Sequence, residues 1–137
     1  MQVQPPSVVN KQSLYIDYTL YPNGIHEFII KVSGRATIDE IIAIFEEIYR
    51  SAPQDQVLLR LFDVKASVSP VSYAIQQTRG LIARTGRPPK SRNAILYRDG
   101  LAISLLQPSV RFLPFAMPLA FFRPHERDRA VTWLLQK

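Results

Sequence analysis

Apolar residues recur along this chain with two different periods, and the switches between them mark out its elements. Residues 1–13 are polar and contain two prolines, so they read as a flexible tail ahead of an ordered domain spanning 14–137. From Leu14, LYIDYTLY is rich in Tyr, Ile and Thr, and Pro22-Asn23-Gly24 is a turn signal before IHEFIIKVSG. Two antiparallel strands joined by a short loop are expected. In the second, Ile25, Phe28, Ile30 and Val32 are the candidate inward groups. The adjacency of Phe28 and Ile29 breaks strict alternation and implies cover on both faces.

The period then changes. Thr37-Ile38-Asp39-Glu40 has the form of a capping box, and Ile38, Ile41, Ile42, Phe45, Ile48 and Tyr49 follow at helical spacing, with Asp39, Glu46, Glu47 and Arg50 facing out. Pro53 ends that helix, because a proline disfavours helical geometry in the residue before it. VLLRLFDV, residues 57–64, matches a buried parallel strand with Arg60 as its one awkward member and Asp63 at its carboxyl end. Ser69-Pro70 supplies an N-cap with proline at the first helical position, Val71, Ala74, Ile75, Thr78, Leu81 and Ile82 continue the helical spacing, and Gly86 is the stop signal.

RPPKSR is a stiff, basic connection to the strand NAILYRDG. Residues 101–118 predict a short helical segment broken by Pro108, Pro114 and Pro118. Within it Phe112, Leu113, Phe115, Ala116 and Met117 form either core or an apolar patch for a second copy or a ligand. LAFF is a last strand, followed by a Pro-led turn and a short amphipathic helix carrying Ala130, Trp133 and Leu134.

At 137 residues the chain fits one domain with one core. The absence of Cys excludes disulfides, thiolate nucleophiles and thiolate metal sites. No stretch approaches the roughly 18 apolar residues of a spanning helix, and no basic and apolar leader precedes the domain, so a cytoplasmic protein is expected. The net charge of +6 is unevenly placed. Residues 1–69 carry 6 basic and 8 acidic groups, whereas 70–120 carry 7 basic groups against Asp99 alone, which suits either an anionic partner or a solvated cationic surface.

The order β-β-α-β-α-β-α-β-α, the GRAT-IDE entry to the first helix, VLLRLFDV and the closing AFFRPHERDRAVTWL together resemble the SpoIIAA-like proteins of the STAS/SEC14-type superfold. In that bacterial group the closing helix carries Ala-x-x-Trp-Leu, here Ala130 to Leu134. The resemblance covers the layout of residues 14–137. It implies a single α/β domain, a right-handed (βα)n superhelix with a mainly parallel sheet of about five strands, an antiparallel N-terminal strand and four helices. It also implies a non-enzymatic regulatory or protein-interaction module. STAS-type anti-sigma-factor antagonists carry an Asp-Ser-Ser-Gly-like motif after the strand matched here by VLLRLFDV. In KASVSPVSYA none of Ser67, Ser69 and Ser72 is preceded by Asp or followed by Gly, so that phosphoswitch does not carry over, and Ser69 reads as an N-cap.

No constellation assigns a reaction. His26 falls in a strand and His125 at a helix start without metal-ligand spacing, no G-x-S-x-G elbow is present, and the single Gly34 makes no phosphate loop, so no metal or cofactor is expected. Asp63 and Asp99 both follow strands and are either an acid–base pair or turn and capping residues. Tyr97 is the one aromatic between Arg79 and Arg98 that could stack on a base, which gives no specific nucleic-acid signal.

Two readings follow. In the first, another protein or a second copy binds a surface of Asp63, Ser67, Ser69, Ser72, Tyr73, Arg79 and Arg84. In the second, a small apolar or anionic, lipid-like ligand is held against the sheet by Phe112, Phe115, Ala116 and Met117.

Overall fold

The computed structural model describes residues 9–53, 55–65, 71–86, 90–98 and 118–136. Its elements are β1 (Val9–Gln12), β2 (Ile16–Leu20), β3 (Ile25–Ile30), α1 (Arg35–Ser51), β4 (Leu58–Val64), α2 (Val71–Thr85), β5 (Ser91–Leu96), β6 (Leu119–Phe122), a 3₁₀ turn (Pro124–Glu126) and α3 (Arg127–Leu135). The six strands lie in one sheet in chain order. β1, β2 and β3 pair antiparallel, and β3 to β6 run parallel. The expected α/β layout with a mainly parallel sheet is therefore present. The helical segment expected within 101–118 lies outside the described residues.

Three local expectations change. Residues 9–12 are not loose tail but an edge strand, with Asn10 opposite Thr19 and Gln12 opposite Asp17. Backbone pairing recruits Asn10, Lys11 and Gln12, all exposed, so no apolar alternation announces them. The capping box at Thr37 does not form. Gly34, at φ 140°, lets the chain enter α1 three residues earlier, the Thr37 hydroxyl donates to Val32 O at 2.6 Å, and Glu40 accepts from Ser13 Oγ at 2.7 Å. Val32 lies past the end of β3 and is exposed rather than inward.

Elsewhere the turn chemistry is as the residues require. Asn23 Oδ1 accepts from Ile25 N at 3.1 Å, and Gly24 takes φ 91° to close the β2–β3 hairpin. Gly86, at φ 83°, donates its N–H to Ile82 O at 2.8 Å and terminates α2.

Strict alternation in the parallel strands divides the core between two faces. Phe28, Ile30, Phe62, Val64 and Ile95 pack with Ile41, Ile44, Phe45 and Ile48 of α1. Beside them Leu58 joins Ile38, Ile42 and Tyr49 of α1 and Leu81 of α2. On the opposite face Ile25, Leu61, Ala94 and Leu96 meet Ala130 and Leu134 of α3. Each large aliphatic or aromatic group buried this way contributes roughly 1.5–3 kcal/mol.

The α1 face also buries a polar layer. Arg60, 3% exposed, donates from Nε to Asn93 Oδ1 at 2.7 Å, from Nη1 to Tyr49 OH at 3.0 Å and from Nη2 to Ser91 Oγ at 3.0 Å. Its guanidinium lies 4.6 Å from the centre of the Phe45 ring. Asn93 is oriented for this by donating Nδ2 to Ser91 Oγ and to Pro118 O. His26 is Arg60's register neighbour on β3, and its Nδ1 lies 2.8 Å from Tyr18 OH. Burial, with the neighbouring Arg60 charge, lowers the His26 pKa to about 4, and burial pushes Tyr18 up to about 12.

His26 therefore folds neutral. In the unfolded chain it takes up a proton as pH falls through 6.5, while the folded chain resists until about 4, so this contribution is complete above pH 6.5 and is lost between the two values. Urea unfolding at steps from pH 7 to 4.5 is expected to show a fall of about 1.4 kcal/mol per pH unit at steepest in excess of that of His26→Gln. Parallel profiles for the two proteins would contradict a neutral buried His26.

Candidate functional site

The βα connections bring the carboxyl ends of β3 and β4 together with the N-terminal ends of α1 and α2, the position where open α/β sheets place their functional groups. The chain stays in register just past the strands. Lys31 N donates to Tyr15 O at 2.8 Å, and Lys65 N to Ile30 O at 3.1 Å.

Asp63, at this edge, accepts from Arg98 Nη1 at 2.7 Å, and the same nitrogen reaches Val64 O at 3.1 Å. Arg98 in turn offers its carbonyl to Arg123 Nη1 at 3.4 Å, while the Arg123 guanidinium stacks 4.6 Å from the Tyr97 ring. Asp63 is thus one end of a tie that joins the ends of β4, β5 and β6, and its carboxylate is occupied by Arg98. Asp99, its proposed acid–base partner, lies outside the described residues, as do Ser67 and Ser69.

Tyr73 sits in the first turn of α2 and bridges to α1. Its hydroxyl donates to Asp39 Oδ1, a bond that raises the Tyr73 pKa, and the Arg35 guanidinium lies over its ring at 4.9 Å from the centroid. Ser72 beside it is exposed, and with Gln76, Arg79 and Ala83 it forms an exposed stripe at helical spacing down α2.

Arg84 turns away from that stripe. Its Nε and Nη2 donate to Glu46 Oε1 at 3.1 and 2.9 Å, while Arg50 donates to Glu46 Oε2 at 3.0 Å. These bonds, that of Arg84 first, hold the Glu46 carboxyl below its usual range. The triad clips α1 to α2, so Arg84 is engaged within the fold. Sequence reasoning placed Tyr73 and Arg84 at the site but missed their partners Arg35, Asp39 and Glu46. Each partner reads as a solvated helix residue until α1 and α2 pack together.

Among the described residues no group of three or more His, Asp or Glu could hold a metal ion, and no helix is long and apolar enough to cross a membrane. A surface hollow of about 190 Å³ between β1–β2 and α1 is lined by Lys11, Ile16, Glu40, Ala43, Ile44 and Glu47. Its polar groups already serve one another or the chain, Lys11 with Glu47 and Glu40 with Ser13. Phe112, Phe115, Ala116 and Met117 lie outside the described residues.

No family model and no curated protein matches the chain. Among solved structures it is similar to an uncharacterised protein of the DUF3478 family with a SpoIIAA-like fold from Shewanella loihica PV-4. The two are 18% identical with a TM-score of 0.50, over 93% of this chain and 92% of that one. The fold is thus SpoIIAA-like, matching the resemblance carried by GRAT-IDE, VLLRLFDV and the closing helix.

Because the Arg35–Tyr73–Asp39 contact fastens the first turn of α2 to α1, Tyr73→Ala is expected to speed amide hydrogen exchange in residues 72–76 several-fold, leaving β4 and β5 protected. Unchanged exchange at the start of α2 would show that the bridge carries no local stability.

Proposed function

We propose that this protein is a non-enzymatic regulatory module that binds another protein through the start and outer face of α2. The observation that carries the reading is the exposed stripe of Ser72, Gln76, Arg79 and Ala83. It begins at the carboxyl edge of the sheet and lies on a helix anchored to α1 at both ends, by Tyr73–Asp39 and by Arg84–Glu46. A helix held at both ends and exposed along one face suits recognition of a protein surface at low ordering cost.

The SpoIIAA-like fold supports the same reading by analogy of fold. Asp63 contributes by holding the edge in place through Arg98 rather than by touching the partner. Ser67 and Ser69 belong to the same proposed surface by position in the sequence.

The test uses the paired change Gln76→Glu and Arg79→Glu, which leaves the Arg84–Glu46 clip intact. Pull-down from an extract of the source cells is expected to lose its partner at least tenfold with the melting temperature unchanged. Equal recovery by the variant would overturn this surface, and a reproducible small-molecule mass on the native chain in mass spectrometry would overturn the protein-binding reading itself.

A further inference from the structure

β1 is an edge strand of the sheet, and the register leaves part of its main chain unpaired. Ser13 N donates to Ile16 O at 3.0 Å, so Ser13–Ile16 is a hydrogen-bonded pair of the antiparallel ladder and Lys11–Tyr18, two residues on, is the next. The other side of β2 agrees. The bonds from Lys31 N to Tyr15 O and from Tyr21 N to Ile25 O turn Asp17 and Thr19 toward β3, leaving Ile16, Tyr18 and Leu20 for β1. Asn10 and Gln12 therefore point their N–H and C=O groups away from β2. Both residues are exposed, and no described strand lies on that side. Exposed main-chain groups on an extended edge are a template for another strand.

Beside this edge lies the hollow between β1–β2 and α1. Lys11 lines it, so a residue paired across from Lys11 shares that face of the sheet. Its α1 wall is Glu40, Ala43, Ile44 and Glu47. Lys11 Nζ meets Glu47 Oε2 at 3.3 Å and Ser13 Oγ meets Glu40 Oε2 at 2.7 Å, contacts that join strand, turn and helix in one surface. The second oxygen of each carboxylate has no donor among the described residues. Two carboxylates against one ammonium leave the hollow net negative, and the exposed Ala43 puts only a methyl group between them.

We infer that β1 accepts an extended segment of another protein as a further strand, its main chain bonding Asn10 and Gln12 and a Lys or Arg across from Lys11 reaching over Ala43 to Glu40 and Glu47. A second copy fits less well. The antiparallel β1–β1 register that uses both outward residues sets Asn10 opposite Gln12 and brings the two Lys11 side chains directly against each other. A lipid surface has no main chain to offer Asn10 and Gln12, and its phosphates would face Glu40 and Glu47. This surface is separate from the α2 stripe, because Asp39 and Glu46 turn to α2 whereas Glu40 and Glu47 turn to the β1–β2 hairpin. The two surfaces can be tested apart.

The probe is a phage-displayed library of random dodecamer peptides selected on the full chain. Enriched sequences are expected to be rich in β-branched residues around a Lys or Arg. Their synthetic peptides are expected to slow amide hydrogen exchange at Asn10 and Gln12 at least tenfold, and to bind Asn10→Pro and Glu47→Lys at least tenfold more weakly than the native chain. Proline at position 10 removes an outward N–H and none that bonds β2. Circular dichroism confirms that both variants fold.

Equal binding by Glu47→Lys, unchanged exchange at Asn10 and Gln12, or enrichment without basic residues overturns the strand-addition site. Failure of any peptide to enrich does so too, as does a dimer that is lost on Asn10→Pro or sedimentation with phosphatidylserine vesicles that Asn10→Pro abolishes. If the peptides lose affinity only for the Gln76→Glu, Arg79→Glu variant, they bind α2, and the protein-binding reading stands while the β1 site is wrong.

Discussion

A guanidinium buried beneath a helix is the constraint on which this fold turns. Arg60 sits in the middle of β4, where its desolvation would cost several kcal/mol were its donors left unmade. Tyr49, Ser91 and Asn93 meet those donors, and Phe45 covers the flat face. These partners come from α1 and β5, and Asn93 passes the bonding on to Pro118 before β6. A one-residue slip of β4 would send Arg60 to the α3 face and leave the layer without its donor. Apolar packing holds α1 to the sheet, and this layer specifies where it sits.

That placement reaches the functional end of the molecule. With α1 fixed at Tyr49 and Phe45, Arg35 and Asp39 are set at its opposite end, where they receive Tyr73 of α2. Glu46, between them, receives Arg84. The outer stripe of α2 and the carboxyl edge of the sheet are thus held relative to each other by α1, although neither touches Arg60. The ion pairs in this arrangement are half-exposed and individually weak. Their role is orientation, with the bulk of stability coming from the two apolar faces.

Much of the architecture was legible because period and punctuation agreed. The Pro22-Asn23-Gly24 turn, the spacing from Ile38 to Tyr49, the Gly86 stop and the final helix each occur where the residues place them. The strand β1 was hidden because its residues Asn10, Lys11 and Gln12 face water and contribute only backbone to the sheet. The start of α1 was misplaced because Thr37 and Glu40 find tertiary partners, Val32 and Ser13, in preference to each other. At the site, Tyr73 and Arg84 carried visible chemistry, whereas Arg35, Asp39 and Glu46 acquire theirs only from helix packing. Arg60 was marked as the odd residue of an apolar run, but its use depended on Asn93, 33 residues away.

Arg60 locks α1 to the sheet through a coupled polar layer. A double-mutant cycle of Arg60→Met and Tyr49→Phe, read by urea unfolding, measures that coupling. The expected coupling energy is about 1–2 kcal/mol, because each change alone strips a buried group of its partner and the second then costs less. Strictly additive losses would mean that Tyr49 and Arg60 act independently, and that α1 is placed by its apolar face alone.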